Sequence, residues 1–162
     1  MIELLDLQPT GSHDVIGVDP GDKSPAFFYL SAAGACKFSQ SPIPPLDEVP
    51  VFCEGQFARP KSAREALMTL SFYAGLQAGY YLAKGCSVFI LKPEEWRNAL
   101  IPRSGKMPKT VFHNRCKAKG LIPPEVWIQN ADVRDSYLIA LAGQKLWVKG
   151  DLPKPQKWSK KG

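Results

Sequence analysis

Four acidic side chains stand where a folded chain would deliver them from the ends of regular elements: Asp19, Glu54, Asp132 and Asp135. Asp19 closes the apolar run Val15-Ile16-Gly17-Val18, and Pro20-Gly21 stops that run behind it. Glu54 closes Val51-Phe52-Cys53 and precedes Gly55. Asp132 and Asp135 are three residues apart, so on a helix they share a face, with Cβ atoms about 5–6 Å apart. Each has an ordinary explanation when taken alone. Asp-Pro-Gly is good turn chemistry, and an acid in a first helical turn suits the helix dipole. Gathered at one place, the four would raise one another's pKa values and oppose folding unless cations neutralised them. Oxygen-only ligands suit Mg²⁺ or Mn²⁺ better than zinc. Two such ions about 3.5–4 Å apart form a clamp for in-line phosphodiester hydrolysis, one activating water and the other stabilising the leaving 3′ oxygen.

The basic side chains are clustered too. Residues 84–119 hold nine basic and two acidic side chains, against five basic and nine acidic in residues 1–83. Residues 149–162 add five basic and one acidic. A basic segment beside an acidic half suits a polyanion that also meets bound cations, although a solvated basic face would give the same counts. Cys36, Cys53, Cys86 and Cys116 form no close pair. Only His113 and Cys116 have metal-ligand spacing, too little for a zinc site, so the cysteines read as reduced thiols.

Several elements must position these groups. Strands are expected at Val15–Val18, Ala26–Leu30, Ala35–Phe38, Pro50–Cys53 and Ser87–Leu91. A long helix is expected from Ser62, with Glu65 completing a capping box, to Lys84 before Gly85. Its apolar residues do not keep to one stripe, so it needs a second partner: a twin helix in a dimer, or another layer of the same domain. A short helix opened by Pro93, another from Pro108 to Lys119 and a last one from Ala131 to Trp147 follow. Pro123-Pro124 reads as a loop. Strands first, then helices alternating with strands, predict an α/β fold: a mixed sheet with helices on its faces.

One domain is expected from 162 residues, 44% hydrophobic and 22% charged. Residues 1–13 read as an N-terminal extension, and 149–162 as a basic, flexible tail. No run is long and apolar enough to span a bilayer, and the acidic N-terminus lacks a secretory n-region, so a cytoplasmic protein away from membranes is expected.

VIGVDPG, FCEGQF and ADVRDSYLIALA together resemble, in order and separation, the three acidic motifs of the RuvC family of Holliday-junction resolvases. The resemblance runs from about residue 14 to 146 and implies a nuclease domain over 14–148. It implies an RNase H-like mixed β-sheet of about five strands flanked by helices, and Mg²⁺-dependent cleavage (Mn²⁺ being the alternative) with two ions per site. Asp19, Glu54, Asp132 and Asp135 would be the catalytic, metal-binding residues. The substrate would be branched DNA, the four-way junction, cut by a homodimer joined through helix 62–84. Phe57 resembles the aromatic side chain that wedges against junction bases, although a packed loop aromatic would look the same. Arg97 and Lys109 match basic positions that meet DNA, with Lys106 a neighbouring candidate. The first motif has Pro25-Ala26 where the family commonly has a glycine, and Arg134 and Ser136 flank the last Asp where small residues are usual. The N-terminal extension and Lys-rich tail, together with this loose motif match, resemble phage-encoded members, whose location would be the host cytoplasm. Two alternatives share the fold: a broader nuclease of forks, flaps and D-loops, and a non-catalytic DNA-structure-binding protein. The actin-like phosphate-binding fold also has a strand-end Asp, but needs two such domains.

Overall fold

The structure is a computed structural model that describes residues 13–21, 25–34, 36–46, 48–55 and 64–155. Five strands, β1 (Val15–Asp19), β2 (Ala26–Leu30), β3 (Cys36–Ser39), β4 (Val51–Glu54) and β5 (Val88–Leu91), form one sheet in the order β3-β2-β1-β4-β5. The first three pair antiparallel, while β4 lies parallel to both β1 and β5. The helices are α1 (Arg64–Ala83), α2 (Pro93–Leu100), α3 (Lys109–Ala118), α4 (Pro124–Trp127) and α5 (Ala131–Lys149). This is the expected mixed α/β sheet with helices on its faces.

Side chains alternate across a strand, and here both faces are covered. Val15, Phe28, Leu30, Phe52 and Leu91 face a core built with Trp96 of α2, Phe112 of α3 and Leu138, Ile139 and Ala142 of α5. Ile16, Val18, Phe27, Tyr29, Val51 and Val88 face the other side, where Ala78 and Tyr81 of α1 and the loop residues Ile43 and Val49 cover them. The Tyr81 hydroxyl donates to the Ile43 carbonyl at 2.8 Å, so its buried polar atom is satisfied.

Helix α5 lies on the sheet almost without side-chain spacers. A Cβ on Gly17 of β1 would collide with the Ser136 carbonyl and the Ala140 backbone, and one on Gly143 would strike the Phe52 ring. Ser136, Ala140 and Gly143 recur at helical spacing, which gives α5 a face of small residues toward β1 and β4. At the far end, Gln144 Nε2 donates to the carbonyls of His13 (2.8 Å) and Ser31 (3.3 Å), beside the start of β1. Helix α5 therefore runs antiparallel to β1, with its first turn beyond the C-terminal end of that strand.

Several boundaries differ from expectation for local reasons. Pro123-Pro124, read as a loop, starts α4: Pro124 is the first helical residue, a position that lacks a hydrogen-bond requirement on its nitrogen. Pro108 caps α3 rather than opening it. Helix α5 continues to Lys149 and stops at Gly150, whose φ of 74° is left-handed. Beyond it, the Asp151 N–H donates to the Leu146 carbonyl and Leu152 packs on the core, so the segment read as the start of a flexible tail is docked through Leu152. Ser62, Ala35 and residues 156–162 lie outside the described residues.

Candidate active site

Val18 pairs with Cys53 across the parallel β1–β4 ladder, so Asp19 and Glu54 follow side by side at the ends of the two central strands. Alternation puts them on the same face as Gly17 and Phe52, the face on which α5 lies. The antiparallel course of α5 brings Asp132 and Asp135, in its opening turns, to that strand end. Asn130 sets where the helix begins, its side chain accepting from the Val133 N–H at 3.0 Å. Three elements thus deliver four carboxylates to one edge.

Their electrostatics report the crowding. Asp19, 8% exposed, has its pKa pushed up to about 8, first by burial and then by the charges of Glu54, Asp135 and Asp132, with Lys109 opposing. Burial also raises Glu54, while the indole of Trp96, donating from Nε1 to Glu54 Oε2 at 2.7 Å, and the nearby Arg97 charge pull it back. Asp135 goes the other way. Burial raises it, but His113 Nε2 at 2.6 Å from Oδ1 and Lys109 Nζ at 2.5 Å from Oδ2 outweigh burial and hold it below the usual carboxylate range. The Lys109 ammonium thus opposes part of the negative charge at Asp19, Glu54 and Asp135, and pairs directly with Asp135.

The donor set fits a divalent cation by its chemistry: oxygen ligands, mutual repulsion and a net negative charge. As they stand, no group of three or more His, Cys, Asp or Glu side chains among the described residues is arranged to hold a metal ion. Lys109 supplies the nearest positive charge instead.

The expected basic residues separate in the structure. Lys109, the first residue of α3, points into the carboxylate cluster with 44% of its side chain exposed. Arg97 on α2 is half-buried beside Trp96 and Phe112, 5.4 Å from each ring, and donates to the Met107 carbonyl at 3.0 Å. Lys106 is exposed on the loop between α2 and α3. That loop is pinned from within by Ser104, whose hydroxyl donates to the Ile101 and Arg97 carbonyls. Phe57 lies outside the described residues. Two contributors were missed from sequence, Trp96 and His113; their partners lie 42 and 22 residues away, beyond the reach of spacing rules. His113 and Cys116, considered for zinc, part company: His113 binds Asp135 while Cys116 is a buried free thiol.

A five-stranded mixed sheet with acids at the ends of its two central strands and on a crossing helix is an RNase H-like α/β fold of the RuvC type. The chain is similar to Thermus thermophilus RuvC solved in complex with a Holliday junction substrate, at 18% identity and a TM-score of 0.60, over 88% of this chain and 99% of that one. Thermus thermophilus RuvC in a second structure gives 19% identity and a TM-score of 0.53 over the same shares. Neither a protein-family model nor a curated protein matches the sequence. No helix among the described residues is long and apolar enough to cross a membrane.

Proposed function

We propose that this protein is a metal-dependent endodeoxyribonuclease that resolves four-way DNA junctions by paired symmetric nicks, with Asp19, Glu54, Asp132 and Asp135 as its catalytic carboxylates. The observation that carries this reading is Asp19. It is buried at a strand end among three other acids, and these together with burial push its pKa up to about 8. A carboxylate kept for stability would face donors; this one faces further carboxylates, an arrangement a cation relieves.

Asp19 and Glu54 from the sheet, with Asp132 and Asp135 from α5, would hold two Mg²⁺ or Mn²⁺ ions. When bound, these ions supply Lewis acidity to the attacking water and to the leaving 3′ oxygen. The protein's own part is orientation. Trp96 fixes one oxygen of Glu54 and His113 one oxygen of Asp135, which restricts the directions the remaining lone pairs can take. Lys109, partly exposed beside the cluster, is placed to meet a phosphate, and Arg97, Lys106 and Phe57 extend the DNA contact. Phosphate contacts of this kind make affinity salt-dependent without reading sequence.

The nuclease unit is residues 14–148, between the extension 1–13 and the basic tail 149–162, and it works in the cytoplasm. We place the homodimer contact on the long helix, α1, where Leu76 is 53% exposed. The junction bound by the similar Thermus thermophilus RuvC supports a four-way substrate. The deciding experiment is cleavage of a labelled four-way junction, with linear duplex, flap and fork controls, in Mg²⁺ and in EDTA. Paired symmetric nicks in the junction alone, absent in EDTA, are expected. Cutting spread over all branched forms would replace resolution with general debranching, and tight binding without cutting would leave a structural DNA binder.

A further inference from the structure

Arg134 sits in sequence between the two helix acids, yet its side chain leaves them. Its guanidinium carbon lies 4.9 Å from the centroid of the Trp127 ring, and its Nε donates to the Asn130 carbonyl at 3.5 Å. The ammonium of Lys117, from α3, lies 4.3 Å from the same ring. Trp127 ends α4 and is half-buried, packed against the core, so it is a fixed platform rather than a loose side chain. Neither cation makes an ion pair with an acid among the described residues; the ion pairs there are those of Asp135 with Lys109 and His113.

Two like charges held on one ring repel each other, as the four carboxylates do, and an anion relieves them. Cation–π contact also restrains two long side chains beforehand, so less rotamer freedom is lost when an anion arrives. The anion's class follows from the neighbours. Lys109, Arg115 and Lys117, with Lys119 at the C-cap, make α3 basic, with no acid along it. Lys109, His113 and Lys117 recur every four residues, so the face that meets Asp135 at its start leads on to Trp127. Eight residues of helix span about 12 Å. Along one DNA strand that is about three to four base pairs, at roughly 3.4 Å each.

We propose that Trp127, Lys117 and Arg134 form a second phosphate-binding contact, for the duplex arm of the DNA substrate about three to four base pairs from the bond being cut. The inference rests on the nuclease reading above and assigns Arg134, the residue that departs from the usual small neighbours of Asp135, to substrate binding.

The test is a salt titration of four-way-junction binding by the full chain, followed by fluorescence anisotropy of labelled DNA in EDTA. Each phosphate contact contributes about 0.9 to the slope of log affinity against log salt. The K117Q/R134Q protein is therefore expected to show a slope shallower by roughly 1.8. Trp127→Leu, which keeps the apolar core contact and removes the ring's π face, should weaken binding in the same direction while circular dichroism shows a folded chain. A slope equal to the wild type's in the double variant overturns this contact and leaves the nuclease reading standing. A wild-type chain that does not bind junction DNA at low salt overturns both.

Discussion

Strand β1 carries a buried carboxylate at each end of its run, and their surroundings are opposite. Asp14, just before the strand and 1% exposed, accepts from the Tyr29 hydroxyl at 2.6 Å and from the Ala32 N–H at 2.7 Å. Those bonds tie the start of β1 to β2 and to the turn behind it. Asp19, five residues further on at the other end and 8% exposed, receives no hydrogen bond from a side chain among the described residues and is surrounded by further acids. Same residue type, opposite ends of one run, similar burial: one acid is met by donors and the other by further acids. The difference separates a carboxylate bound into the fold by donors from one held among like charges.

Substitutions at the two ends should break in different assays. Asp19→Asn, or Glu54→Gln, should abolish cleavage, by roughly three orders of magnitude for the several kcal/mol a metal contributes, while gel-shift binding to a junction persists. Retained cleavage would remove Asp19 from the active site. Asp14→Ala should do the reverse. It removes the acceptor of the buried Tyr29 hydroxyl, a loss of about 1–3 kcal/mol that denaturant unfolding would register, while the specific activity of the folded fraction is kept.

Metal-free stability sharpens the contrast through pH. Asp19 has a folded pKa raised above its unfolded value, so its contribution is fully present below about pH 4 and is lost as pH climbs through about 8. Glu54, also raised, works in the same direction. Asp135, lowered, works oppositely, its contribution being lost only as pH falls through its depressed pKa. Thermal unfolding in EDTA should therefore show declining stability between pH 4 and 8 from the Asp19 end, and Asp19→Asn should flatten that decline. A gain on the order of 1 kcal/mol at pH 8 would raise Tm by about 2–4 °C. Equal pH profiles for the two proteins would mean that Asp19 is not under repulsion. The smallest effect is expected at His113: His113→Ala should weaken Mn²⁺ binding about tenfold by titration calorimetry, the lower end for loss of a group that orients a ligand. Unchanged affinity would show that Lys109 alone orients Asp135.

Much of this was legible in the sequence, because the informative signals are local. A strand-ending acid followed by Pro-Gly or Gly, and two acids three residues apart, place Asp19, Glu54, Asp132 and Asp135 on element ends without any tertiary knowledge. Alternating and apolar runs located all five strands to within a residue or two. What sequence hid was contact between distant segments. Trp96 lies in the short helix opened by Pro93, and nothing within four residues announces its bond to Glu54. His113, which from its place on a basic helix could be structural or solvated, is buried against Asp135. The brief α4 was lost because Pro123-Pro124 signals both a loop and a helix start, and tertiary packing of Val126 decides between them.

The contact of α5 with the sheet has a consequence for tolerance. Two of the clustered carboxylates ride on the sheet and two on the helix, and the interval between the pairs is set where Gly17 and Gly143 let the helix touch β1 and Phe52 directly. Nothing flexible sits in that gap to be trimmed or swollen, so the gauge of the site is as stiff as packed backbone itself. One added methyl at Gly17 would pry the sheet carboxylates and the helix carboxylates apart.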